Sequence, residues 1–127
     1  MLDTDTVSCA LRGEGGVRAR ITEHRPSELC ISAITVAELR FGACRRASRK
    51  IHELIDVFVS DVAVLPFDEI CASHFGRLGA ELAATGTPIG DFDVLIAAHA
   101  VAIEAILVTN NTRHFNRIKG LSVENWL

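Results

Sequence analysis

Five carboxylates stand where an acid is hard to explain as ordinary surface. Asp3 and Asp5 follow a short apolar start, Met1-Leu2. Asp91 and Asp93 open the almost wholly apolar stretch Val94 to Val108, and Glu38 sits among Val36, Ala37, Leu39 and Phe41. Asn110 and Asn111 follow another apolar run, Ala105 to Val108. Acids gathered in one cleft repel each other, and either protonation or a cation must relieve them. Oxygen donors without a His-rich pair suit Mg2+ or Mn2+ rather than zinc. A cation of that kind can activate water and steady the charge on a phosphodiester. If these residues meet in space, phosphodiester hydrolysis is the chemistry they offer.

Each has a structural alternative. A helix dipole favours acids in its first turn, which accounts for one of Asp91 and Asp93. Two residues apart on a helix, their side chains point about 200° apart, so only one can face a cleft squarely. Asp3, Thr4 or Asp5 could cap a helix, and Asn111 could cap a helix over Thr112 to Arg117. His99, on an apolar helix, reads as a hydrogen-bonded core residue, and Ser32 as a cap at a strand end.

The elements that must position these groups alternate. Met1 to Asp3 reads as the tail of a short buried strand, and Leu29 to Ser32, Val62 to Leu65, Ala105 to Val108 and, at an edge, Val123 to Trp126 as further short strands. Between them helices are expected to about Leu11, over Val17 to His24, Thr35 to Cys44, and from Ser48 through Ile51, Leu54, Ile55 and Phe58. A long helix starts at Asp68 and turns Ile70, Phe75, Leu78 and Leu82 inward, and another opens at Asp91. Short apolar runs alternating with helices predict an α/β domain, one mostly parallel sheet of four to five short strands flanked by helices. In such sheets ligands sit beyond the C-terminal strand ends, where Asp3, Asp5, Thr109, Asn110 and Asn111 fall.

With 127 residues, 49% of them hydrophobic, the chain reads as a single domain over 1–127 that can bury a core without disulfides or metal. Mean hydropathy is +0.28, yet His99 and Glu104 interrupt the longest apolar stretch, which is too short for a bilayer. No secretory signal is visible, and a cytoplasmic setting without a membrane partner is expected. Cys9, Cys30, Cys44 and Cys71 form no C-x-x-C pair and read as small reduced core residues. Net charge is −3, but residues 1–50 carry nine Lys and Arg against six acids, and 51–127 carry four against ten. A basic first half around an acidic centre is compatible with binding phosphates, and equally with an ordinary solvated surface.

Four ordered motifs carry a resemblance over essentially the whole chain: Met1-Leu2-Asp3-Thr4-Asp5; Ile34-Thr35-Val36-Ala37-Glu38-Leu39-Arg40-Phe41-Gly42; Pro88-Ile89-Gly90-Asp91-Phe92-Asp93 through Ala100; and Val108-Thr109-Asn110-Asn111-Thr112-Arg113-His114-Phe115. Together with the ending Gly120 to Trp126, they resemble PIN-domain ribonucleases, and more narrowly VapC-type toxins of bacterial toxin–antitoxin pairs. The resemblance implies a Mg2+- or Mn2+-dependent endoribonuclease that cuts structured RNA, tRNA foremost, by metal-activated attack of water on a phosphodiester. It implies 5′-phosphate and 3′-hydroxyl products. It places the first acid on Asp3, the helical acid on Glu38 and the third on Asp93, all three as metal ligands. The fourth catalytic position falls on Asn111, where the family often has Asp.

Asp91 is then the first-turn or capping acid, and Asp5 an extra carboxylate that lines the cleft or caps the helix. Arg12, Arg18, Arg40, Arg45 and Arg46 are candidates for holding the RNA backbone. Expected partners are a small VapB-type antitoxin laid across the apolar faces of the first helices and a second copy in a homodimer. The toxin–antitoxin complex is further expected to bind promoter DNA. Two rival readings exist. One is a non-catalytic PIN scaffold that binds a partner or regulatory DNA. The other is a haloacid-dehalogenase-like phosphatase, matched by Asp3-Thr4-Asp5-Thr6-Val7 but lacking the apolar strand that should precede Gly90-Asp91.

Overall fold

The structure, a computed structural model, describes all 127 residues. In chain order the elements are α1 (Thr4–Arg12), α2 (Val17–Thr22), β1 (Cys30–Ser32), α3 (Ala33–Arg45), α4 (Arg49–Asp61), β2 (Ala63–Leu65), α5 (Glu69–Ala84), α6 (Asp91–Ala102), β3 (Leu107–Val108), α7 (Thr112–Phe115) and β4 (Val123–Glu124).

The sheet is two parallel pairs, β1 with β2 and β3 with β4. The N-terminal segment stitches them together. Leu2 N donates to Cys30 O at 2.9 Å on one side, while Asp3 N donates to Val108 O and Val108 N to Met1 O on the other, both at 2.9 Å. All pairings are parallel, including the Leu2–Val108 bridge. Successive side chains of an extended segment point to opposite faces. Accordingly Met1 enters the core beneath α5, α6 and α7, with Ile96, Leu107 and Phe115. Leu2 enters the core beneath α1, α3 and α4, with Val7, Ile31, Leu39 and Ile55. Helices therefore cover both faces, as an all-parallel sheet requires.

Side chains near the helix starts set where most of the helices begin. Ser32 Oγ accepts from Ile34 N (3.1 Å), Ser48 Oγ from Ile51 N (3.2 Å) and Asp68 Oδ1 from Cys71 N (3.0 Å). Helix α1 ends at Gly13, whose φ of 70° is the left-handed conformation that glycine adopts without a Cβ penalty. Helix α6 is apolar all round because it is buried from Val94 to Ala100, apart from the half-covered Leu95. Only its first turn emerges, with Asp91 and Phe92 exposed and Asp93 half-buried.

Three side chains depart from the expected core. The inward stripe of α5 runs through Cys71, Phe75, Leu78 and Leu82, so Ile70 lies one position round the helix and is exposed. Leu39 and Ala43 share the buried face of α3, which turns Phe41 outward. Cys44 is exposed with its Sγ 3.6 Å from His52 Nε2, whereas Cys9 and Cys71 are buried and all four cysteines are free. No helix is long and apolar enough to cross a membrane.

Candidate active site

Asp3 leaves the C-terminal end of the central segment, and β3 ends beside it. Only 4% exposed, Asp3 accepts from Thr4 N through Oδ1 and from the Thr109 hydroxyl through Oδ2, both at 2.7 Å. It is the N-cap of α1, so the capping role and the site role fall on one residue. Asp5 Oδ2 accepts from Asn110 N at 3.1 Å, drawing the loop after β3 onto the same cleft. Glu38 reaches in from α3, where the Thr4 hydroxyl donates to its Oε1 at 2.6 Å. Asp93 arrives from the first turn of α6, with Oδ2 3.5 Å from His114 Nδ1 on α7.

Their electrostatic coupling shows that the acids share one region. Burial, followed by the charge of Asp5 and then of Asp93, pushes the Asp3 carboxyl up to about 7, against the pull of the Thr109 and Thr4 hydrogen bonds. Burial also raises Glu38, which the Thr4 bond opposes and the charges of Asp93 and Asp5 reinforce. No Lys or Arg forms an ion pair with Asp3, Asp5, Glu38 or Asp93.

The oxygens do not close on a common point, for no three His, Cys, Asp or Glu side chains stand as a metal-holding group. Asp3, Asp5 and Glu38 are turned instead onto the hydroxyl or amide donors named above, and Asp93 towards the His114 imidazole. The charge balance nevertheless favours a cation. Four hard-oxygen acids converge from α1, α3, α6 and the segment before α1, partly buried and without a Lys or Arg partner. That donor set fits a divalent ion such as Mg2+ or Mn2+.

The remaining predicted residues divide. Asn111 occupies the N-cap position of α7 but makes no capping bond; its side-chain amide lies 2.8 Å from His114 Nδ1. Asp91 is a first-turn acid and not the cap, which is Gly90. His99 is a core residue, 1% exposed, with Nδ1 2.8 Å from the Ser32 hydroxyl and its ring edge-on to Phe67. Ser32 caps α3.

Of the arginines, Arg12 and Arg46 line a pocket of about 180 Å³ that also touches Thr4 and Glu38 and is floored by Leu39 and Ile51. Arg40 pairs with Asp56, Arg45 lies over the Phe41 ring, and Arg18 is exposed.

His114 is the residue that reasoning from sequence missed; Thr109 was placed beyond a strand end and Thr4 weighed as a cap, but neither as a partner of the acids. Threonines beside acids carry no signal of their own. The i, i+3 spacing of Asn111 and His114 could have been read as one helical face.

A parallel sheet with acids gathered beyond its strand ends defines a class, and comparison with known proteins agrees on which. The family model of the PIN domain matches residues 1–121. The tRNA(fMet)-specific endonuclease VapC of Shigella flexneri is 40% identical over 128 residues, covering 99% of this chain and 96% of that one. Two crystal structures are similar throughout. VapBC2 from Rickettsia felis bound to a DNA fragment from its promoter has a TM-score of 0.91 at 33% identity, covering 100% of this chain and 98% of that one. DNA-bound VapBC from Salmonella typhimurium has a TM-score of 0.89 at 39% identity, covering 100% and 97%. The chain belongs to the PIN-domain family, and within it to the VapC group of ribonucleases.

Proposed function

We propose that this nuclease is the toxin of a toxin–antitoxin pair, a Mg2+- or Mn2+-dependent endoribonuclease whose first substrate to test is initiator tRNA. The convergence of Asp3, Glu38 and Asp93, with Asp5, at the strand ends with no Lys or Arg partner carries the reading. The tRNA(fMet) specificity in the name of the Shigella relative supports the choice of RNA.

Asp3, Asp93 and Glu38 would hold the ion, which when bound supplies a Lewis acid for water and for phosphate charge. Asp3 is pre-set for this by Thr4 N and Thr109. The Thr4 hydroxyl takes Glu38 Oε1, which leaves Oε2 as the oxygen that would face the ion. Asn111 is the fourth member of the set, joined to Asp93 through His114. Arg12 and Arg46 stand beside Glu38, where RNA phosphates flanking the cut bond can be held.

The same pocket, apolar at its base, suits an antitoxin segment laid across α1, α3 and α4. The VapBC complexes bound to promoter DNA support an antitoxin partner and a DNA-binding complex. The exposed Phe41, Ile70 and Phe92 offer apolar surface to such partners or to a second copy.

Purified protein is expected to cut an initiator tRNA transcript at a discrete position with Mg2+ or Mn2+ and to stop on chelation. Asp3→Ala and Asp93→Ala are expected to abolish cutting. Variants that cut like the parent would overturn the site, and a parent that cuts no cellular RNA with either ion would favour a binding role.

A further inference from the structure

Three of the acids are held by donors on the segments that end at the cleft. Thr4 and Thr109 hold Asp3, the Asn110 amide holds Asp5, and Thr4 holds Glu38. Asp93 is different. Its polar contact is the His114 imidazole, with Nδ1 3.5 Å from Oδ2. That same nitrogen lies 2.8 Å from the Asn111 side-chain amide. Asn111 and His114 stand three residues apart across the single turn of α7, on one face of it. Phe115, wholly buried in the core beneath α6, fixes that turn in place. Only with a proton on Nδ1 can the ring address the Asp93 carboxylate; the Asn111 amide then turns its oxygen to the same N–H, which Asn111 and Asp93 share. Four residues thus form a chain from the anchored turn to the carboxylate.

We infer that His114 is the positioning residue of Asp93, and that Asn111 acts on the site through His114 rather than by touching metal or RNA itself. The inference rests on the reading of Asp93 as a metal-holding acid. Partners that orient a metal-holding side chain are typically worth 10- to 100-fold in metal affinity. With the His114 and Asp93 side chains 43% and 28% exposed, the lower end applies.

The test is Mn2+ binding by isothermal titration calorimetry, alongside tRNA cleavage, on the full chain. Asn111→Ala and His114→Ala are each expected to weaken Mn2+ binding and lower kcat about tenfold, with KM for RNA unchanged. The double variant is expected to be no worse than His114→Ala, because both residues act through one ring. His114→Asn, whose amide can stand where Nδ1 does, recovers most of the binding. The inference is overturned if His114→Ala binds Mn2+ like the parent, or if the double loss is the product of the single losses. Asp93→Ala separates the two levels. If it binds Mn2+ as tightly as the parent, the metal-site reading fails and takes this inference with it; if it alone loses binding, only the link through His114 fails.

Discussion

Replacing Asp3 with asparagine is expected to stabilise the protein in chelator while destroying its activity. Asp3 is 4% exposed and its carboxyl is held near 7, where an ordinary aspartate titrates at 3.8. The folded state therefore binds that proton about three decades more tightly than the unfolded chain, a difference of about 4 kcal/mol at about 1.4 kcal/mol per decade. Because the folded value is raised, the usual direction for a carboxylate is reversed. Below about pH 4 the proton is on in both states and nothing is lost. Between about 4 and 7 the unfolded chain ionises while the folded one does not, so stability falls as pH rises, and above 7 the full penalty remains.

Asparagine carries no charge at any of these pH values. Its oxygen can still accept from Thr4 N. Its NH2 can donate to the Thr109 oxygen, whose hydroxyl then turns to Asp5 Oδ1, 3.4 Å away. Allowing for an imperfect exchange of these bonds, a gain of about 2–4 kcal/mol at pH 8 is expected, or roughly 8–16 °C in Tm at about 4 °C per kcal/mol. Urea or thermal unfolding in EDTA across pH 4 to 8 measures it, and the gap should close towards pH 4. Added Mn2+ should stabilise the parent and leave Asp3→Asn unmoved. A variant no more stable than the parent at pH 8 would show that the buried acids are not in electrostatic conflict, and the case for a cation would lose its footing.

Two further outcomes are expected. His99 is buried against Ser32 and Phe67, and desolvation holds its pKa below the ordinary 6.5. The unfolded chain then takes up a proton that the folded one refuses, so stability of the Asp3→Asn protein should fall as pH drops below about 6.5, a trend that His99→Gln flattens. Phe115→Ala should cost about 3–5 kcal/mol in chemical unfolding. Because it loosens α7, it should also lower kcat in the folded protein at low temperature; unchanged kcat would separate α7 from the site.

The strands and most helix starts were legible in the sequence because their signals are local. Short apolar runs bounded by Gly and Pro, and Ser48 and Asp68 ahead of apolar periodicity, depend on neighbours a few residues away. The strand-end rule placed Asp3 at the cleft, whereas Glu38 and Asp93, both on helices, were set beside it only by the resemblance of the ordered motifs. What escaped depended on rotation about a helix or on partners far along the chain. Ile70 and Phe41 are apolar residues one or two positions off a buried stripe, and hydropathy alone does not give the phase. Asn111 looked like a cap by position, but its amide went to His114. Thr109 became an anchor for Asp3 only once β3 was paired beside the N-terminal segment, a contact across more than a hundred residues.

That stitching of the sheet through Met1 to Asp3 also sets an order of assembly. The helix pairs α3 with α4 and α5 with α6 join neighbours in sequence and can form early. The cleft instead requires the first residues to meet Val108 and Thr109, so it waits for a long-range closure that is slow to form. Asp3 and Thr109 lie more than a hundred residues apart, so a growing chain cannot join them before Thr109 has been made. A nuclease built in this way cannot complete its cleft until its sheet is whole.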